Sequence, residues 1–210
     1  MRIGILGCGR IGSTLARHFA AAGHEVMVAN SRDPGTLAPV ANELGRVRAT
    51  TVPGAATFGP VVVLAIPFGR RRELPAALLS GRIVIDTTNH QPDRDGPAPE
   101  LDGGALGSSE VIQRQLPGSR VVKAFNTMRW DHLRDYAHEA GALERYGIPV
   151  AGDDEPAKRT VMDLVEQLGF QPVDAGDLRH GGRRQEPGGP VFLADLTAAD
   201  LQSRLAQPAR

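Results

Sequence analysis

The chain has 210 residues, with 24 Lys and Arg against 24 Asp and Glu, and therefore no net charge at neutral pH. That length is enough for one ordinary domain with a buried core, and the even charge supplies no field to steer it to nucleic acid or an anionic membrane, so small molecules are the expected partners. Its only cysteine, Cys8, excludes an internal disulfide framework and a multi-cysteine metal site, and six Phe, two Tyr and one Trp are few for a surface built on base stacking.

No apolar run reaches the roughly eighteen residues of a membrane span, and Arg2 leading into a strand-like run does not make a secretory leader, so a cytoplasmic protein is expected. In chain order, residues 2–7, 24–30, 61–67, 82–88 and 120–126 form apolar runs that predict buried strands, and 148–152 and 171–175 extend the sheet. Between them, helical patterns cover 12–22, 34–44, 71–79, 108–116 and 154–168. The alternation predicts a doubly wound, mostly parallel α/β sheet. It forms one domain over 1–210, with a core to about residue 127 and a C-terminal sheet extension and helix over about 128–210. Two Pro/Gly-rich stretches interrupt it, 90–106 and 179–190. Each is either a surface excursion or a segment that closes over a site.

After the first strand, Gly7, Gly9 and Gly12 make G-x-G-x-x-G at the start of a helix. There a tight turn and the helix dipole can meet a pyrophosphate. The strand before and the alanine-rich helix after favour this over a glycine turn that only packs helix on strand. The second strand ends on Asn30, Ser31 and Arg32, where a carboxylate would hold a ribose 2′-OH. A hydroxyl and a planar charged fork suit a 2′-phosphate instead, so NADP(H) is expected over NAD(H). Arg10 is placed to reach that phosphate or the pyrophosphate. Asp33 either points into the site or, with Pro34 after it, caps a helix.

Further along, Arg70, Arg71 and Arg72 form either a solvated basic turn or an anion contact. Lys123, inside an apolar strand, is a snorkelling edge lysine or a charge held at the site. Cys8 lies near a helix N-terminus, which can lower a thiol pKa. No nucleophile–base pair or His-rich metal spacing is present. Hydride transfer needs none, only two held ring faces and excluded water, so a redox ring is the favoured acceptor.

The glycine loop followed by AAGHEVMVANSR, then VVVLAIPF, IVIDTTN, SSEVIQ, RVVKAFNTM, VAGDDEPAK and LGFQPVDAGDL, resembles the coenzyme F420-dependent NADP oxidoreductases over nearly the whole chain. The combination of KAFN, AGDD and DAG at these spacings is the specific part. The resemblance implies a Rossmann-type fold and hydride transfer between NADP(H) and the deazaflavin coenzyme F420. It implies that Gly7, Gly9, Arg10, Ile11 and Gly12 hold the pyrophosphate and Ser31 and Arg32 the 2′-phosphate. Ile66 and Pro67 would line the nicotinamide half, or else simply end a buried strand. Asn126, Thr127 and Met128 would lie where nicotinamide meets deazaflavin; Asn126 alternatively caps a turn. No residue is expected to act as a covalent catalyst, and Asn126 and Met128 are candidates for positioning only. Two other functions stay open, NADPH-dependent reduction of a small imine or carbonyl, which needs a placed proton donor, and a non-enzymatic NADP(H) sensor. Whether the chain works alone or as a homodimer is left open.

Overall fold

A computed structural model of the chain describes residues 1–137 and 145–207; segments 138–144 and 208–210, both in the expected C-terminal part, lie outside the described residues. The eight strands described are β1 (Arg2–Leu6), β2 (Glu25–Ala29), β3 (Val47–Ala49), β4 (Val61–Leu64), β5 (Ile83–Asp86), β6 (Arg120–Lys123), β7 (Gly147–Gly152) and β8 (Gln171–Gly176). They form one sheet in the order β3-β2-β1-β4-β5-β6-β7-β8. Every pairing is parallel except β6 with β7, where Val122 faces Gly152 and Lys123 faces Ala151.

Apolar side chains alternate between two buried layers, as expected of a sheet covered on both faces. Val61, Val63, Ile83 and Ile85 pack with Leu15, Phe19, Val161 and Leu164 of α1 (Arg10–Ala21) and α8 (Glu155–Gln167). Val62, Leu64 and Val84 pack on the other side with Phe68, Ile112 and Leu116, around α6 (Ser108–Gln115). Each fully buried Val, Leu or Phe contributes about 1.5–3 kcal/mol. This is the doubly wound Rossmann-type sheet the alternation predicts, with the carboxyl ends of β1, β4 and β5 opening at one edge.

The differences are local. β3 is three residues long, too short to stand out as a period, and α3 (Val52–Phe58) starts on Thr51, whose hydroxyl accepts from Gly54 N at 3.2 Å. The expected helix over 34–44 divides into a 3₁₀ turn Pro34–Leu37 and α2 (Ala38–Leu44). Asp33 Oδ1 accepts from Gly35 N at 2.7 Å, so Asp33 is a cap. The expected helix over 71–79 becomes a 3₁₀ turn Phe68–Glu73 and a single-turn α4 (Ala76–Leu79). Pro75, without an N–H and restricting Leu74 to an extended backbone, separates them. The 90–106 stretch contains α5 (Pro92–Asp95) and a 3₁₀ turn Asp102–Gly104. α7 (Trp130–Asp135) was hidden by its mixed polar sequence, and α9 (Ala198–Ala206), capped by the Thr197 hydroxyl, closes the described chain.

Candidate functional site

β1 ends at Leu6, and the chain turns through Gly7 at φ +101°, where a Cβ would run into the Ala65 carbonyl. A Cβ on Gly12 would strike the Gly7 carbonyl, so these two glycines are required by the protein's own packing. Gly9 is different, because a Cβ there would meet nothing within 4 Å. The space in front of it is open. Gly9 is the N-cap of α1 and offers no side-chain cap, and no acid lies in the first turn. The first N–H groups of α1 therefore lack intrahelical partners at a positive dipole end.

Two cavities meet over this loop, sharing Gly9, Ala65, Ile66 and Pro67. The first, about 420 Å³, is lined by Gly7, Cys8, Ser31, Arg32, Arg70 and Glu73 among others. Asn30 Oδ1 accepts from Arg32 N at 2.8 Å and holds the turn after β2. Arg70 Nη1 donates to Ser31 Oγ at 3.1 Å, and its remaining donors pair with Glu73. Of the three arginines only Arg70 lines this cavity. Arg71 is buried against Phe68 and donates to Glu100 at 2.9 Å, while Arg72 is exposed. Glu73 is an acid at this cavity that was not foreseen, because it enters from the far wall and not from the end of β2.

Burial pushes the Cys8 thiol up from its ordinary value near 9, in the direction opposite to the lowering that a helix N-terminus can bring. Cys8 precedes the cap, and desolvation there disfavours the thiolate.

The second cavity, about 410 Å³, gathers Arg10, Ile11, Thr88, Asn89, Asn126 and Met128, with Phe192 and Leu193 at its rim. Arg10 lies over the Trp130 ring, 5.4 Å from its centroid, and lines this cavity, not the one at Ser31. Phe125, fully buried, has φ +62°, a left-handed conformation costly for a bulky residue and maintained by its surroundings. It turns the chain so that Asn126 faces the site. Asn126 Nδ2 donates to Gln185 O at 2.7 Å and Asn89 Oδ1 at 3.0 Å, and Asn89 Nδ2 donates to Asn126 O at 2.8 Å. Asn126 Oδ1 and Thr88 Oγ1 are buried with no hydrogen-bond partner among the described residues. Thr127 lines neither cavity; its carbonyl accepts from Leu193 N at 2.7 Å and ties down the rim.

Lys123 is not at an edge. β6 lies between β5 and β7, and the side chain is fully buried. Its Nζ donates at 3.1 Å to Thr88 O, Ser108 Oγ and Ser109 Oγ. Ser109 in turn donates to Asp86 Oδ2 at 2.6 Å, and Ser108 to Glu186 Oε1 at 2.8 Å. Asp86 Oδ1 accepts from Thr88 N at 2.9 Å. A cation between two carboxylates thus supports the Thr88–Asn89 wall. Asp86, Gln185 and Glu186 were missed by sequence reasoning, and the only signal was the acid ending IVID in an apolar strand. The 179–190 stretch packs against the site, through Gln185 and Glu186, before leading on to α9.

A family described as coenzyme F420-dependent NADP oxidoreductase matches residues 2–90. The chain is similar to the rat metalloreductase STEAP3, 29% identical over 84% of this chain and 34% of that one. It is also similar to the F420-dependent NADP reductase of Methanocaldococcus jannaschii, 31% identical over 59% and 56%. It therefore spans between a third and somewhat over half of these curated relatives. Among solved structures, a hypothetical protein from Sinorhizobium meliloti superposes with TM-score 0.82 at 31% identity, covering 94% of this chain and 95% of that one. A proposed F420-dependent NADP reductase from Arthrobacter sp. FB24 does so with TM-score 0.72 at 30% identity, covering 85% and 86%.

Proposed function

Because the chain belongs to the family of coenzyme F420-dependent NADP oxidoreductases, we propose that it transfers a hydride between NADP(H) and the deazaflavin coenzyme F420. The observation that carries this reading is the meeting of the two cavities over Gly9, Ile66 and Pro67, one with cations along it and the other of similar volume, about 410 Å³, with Phe192 and Leu193 in its lining. The residues present fit a dinucleotide. Gly9 leaves room that a Cβ would fill, and Asn126 Oδ1 and Thr88 Oγ1 are buried polar atoms that need a partner.

Gly7, Gly9 and the opening N–H groups of α1 would hold the pyrophosphate, with Arg10 and Ile11 beside them. Gly12 keeps α1 close to the loop. Ser31 and Arg32 would hold the 2′-phosphate. Ile66 and Pro67 would line the nicotinamide half, with Asn126 orienting the ring and Met128 next to it. When bound, the nicotinamide supplies the carbon that gives or takes the hydride. Thr127 acts through its carbonyl, which holds Leu193 at the rim, and Phe192 and Leu193 keep water from the space between.

No Asp, Glu, His, Lys, Tyr or Cys is among the described residues lining the second cavity. A small imine or carbonyl acceptor would need a placed proton donor there. This favours a ring acceptor that takes the hydride on carbon while the accompanying proton reaches a ring nitrogen from solvent, so that the side chains need only position the two rings. Mixing the protein with NADPH and oxidised F420 should bleach the visible deazaflavin band, and stereospecifically deuterated NADPH should pass its label to the deazaflavin without loss to water. An unbleached band in a protein that binds NADPH would overturn the choice of acceptor, and oxidation of NADPH by a cyclic imine would replace it.

A further inference from the structure

The cavity at the end of β2 holds more charge than the NSR motif supplies. β1 lies between β2 and β4, so the turns leaving β2 and β4 form opposite walls of one cleft. Ser31 and Arg32 stand on one wall and Arg70 on the other. The Arg70 backbone is anchored: its N–H donates to Pro67 O at 3.0 Å, Phe68 beneath it is fully buried, and the neighbouring Arg71 pairs with Glu100. Only the Arg70 side chain is free to choose a partner, and it is 44% exposed.

A hydroxyl has one hydrogen to donate and two lone pairs to accept. Arg70 Nη1 donates into Ser31 Oγ, which leaves the Ser31 hydrogen free to donate to an anion in the cavity. The same guanidinium turns its Nε and Nη2 to Glu73, whose carboxylate is 59% exposed and lines the same cavity. An exposed pair of this kind is weakly held. A phosphate offers the same fork-shaped match with more charge, so exchanging carboxylate for phosphate keeps the number of hydrogen bonds. Glu73 opposes a phosphate by charge, while it is itself an acceptor suited to a ribose 2′-OH.

We infer that Arg70 is a second determinant of dinucleotide choice, orienting the Ser31 hydroxyl and leaving Glu73 to take the 2′-phosphate, and that Glu73 acts against NADP(H) and for NAD(H). The inference rests on the reading of the first cavity as the 2′-phosphate site.

Dissociation constants of NADP⁺ and NAD⁺, measured by titration calorimetry on the full chain, test it. Loss of a charge-assisted hydrogen bond corresponds to about tenfold in affinity. R70Q should weaken NADP⁺ about tenfold and change NAD⁺ less than twofold. R70K, which keeps the charge and loses the fork, should fall between R70Q and the parent chain. E73Q should tighten NADP⁺ a few-fold and weaken NAD⁺. An R70Q protein whose NADP⁺ constant stays within twofold, or whose two constants rise together, overturns the role of Arg70 alone. If the parent chain binds both dinucleotides equally, the reading of the first cavity fails as well. An E73Q protein that binds NADP⁺ more weakly would make Glu73 a support of Arg70 and overturn its opposing role.

Discussion

The two cavities lie side by side and are built on opposite physics. At the first, the charged groups are exposed and held by short local segments: Arg32 is in solvent and Arg70 pairs with Glu73 three residues away. At the second, Lys123 and Asp86 are fully buried and Asn126 is 4% exposed, and apart from the Asp86–Thr88 contact their partners are 14 to 59 residues distant. An exposed charge can be changed without disturbing the fold, and its attraction is screened by salt. A buried polar group is costly unless each partner is in place, so the same network that shapes the second cavity also holds the fold together. The first cavity is therefore expected to set which ligand binds, and the second to set the geometry in which it reacts.

The largest effect should come from Lys123→Ala. Removing the ammonium leaves Asp86 buried beside Ser109 without its cation, a kind of loss that costs about 3–5 kcal/mol. Denaturant unfolding should show the unfolding free energy fall by that amount and the midpoint move down with it, whereas the double change Lys123→Met with Asp86→Asn should recover part of the loss. If Lys123→Ala unfolds at the parent midpoint, the second cavity does not rest on this network and the contrast between the cavities is lost.

Next in size is Asn126→Ala. Gln185 O loses its donor and Asn89 Oδ1 loses a partner, at a cost of about 1–3 kcal/mol for the buried groups left unpaired. Turnover should fall more steeply than NADPH affinity, because Asn126 lies at the second cavity while the affinity is set at the first. Equal losses in both, measured by steady-state rates and titration, would place the binding energy on the wrong side of the comparison.

The same contrast explains what could be read in advance. The glycine loop and NSR were legible because each is continuous in sequence and carries its own chemistry at fixed spacing. The doubly wound, mostly parallel sheet followed from the alternation of strands and helices, and the family resemblance pointed to Ile66, Pro67 and Asn126 at the sheet mouth. Lys123 stayed open between an edge lysine and a charge held at the site because its strand looks alike whether central or at an edge, and the antiparallel β7, arriving from Gly147 onwards, makes it central and decides for the second. Asp86, Gln185 and Glu186 come together from three distant segments, and no local pattern marks such a meeting. The 71–79 helix failed for a local reason, because Pro75 was given too little weight against an apolar run.

A smaller effect is expected at Arg32. Arg32→Ala should weaken NADPH about tenfold and leave the unfolding midpoint in place, since the side chain is exposed and the contact with Asn30 is made by the backbone N–H. The parent's NADPH affinity should fall between 50 and 500 mM salt, and the variant's should fall less. A variant whose affinity keeps the parent's full salt dependence would show that Arg32 is not among the charges that hold the ligand.

The smallest effect should be at Cys8, and it separates the two influences acting on the loop. The start of α1 favours a thiolate, while partial burial beneath the first cavity disfavours it. Burial raises the thiol above its ordinary value near 9, so the neutral form persists throughout the physiological range. The sign for stability follows: because the folded thiol ionises at higher pH than the unfolded one, the folded state keeps its advantage below about pH 9 and loses it as the pH rises through the folded value. Cys8→Ser should therefore leave turnover and NADPH affinity within about twofold of the parent at pH 7, since no step draws on a thiolate. Alkylation by iodoacetamide, which requires the thiolate, should proceed more slowly than for free cysteine at pH 8, have its midpoint above pH 9, and slow further when NADP⁺ fills the cavity that Cys8 lines. A midpoint below that of free cysteine would mean that the dipole of α1 prevails over desolvation. The loop would then have to be far more open to solvent than its packing against Ala65 and Ile66 allows.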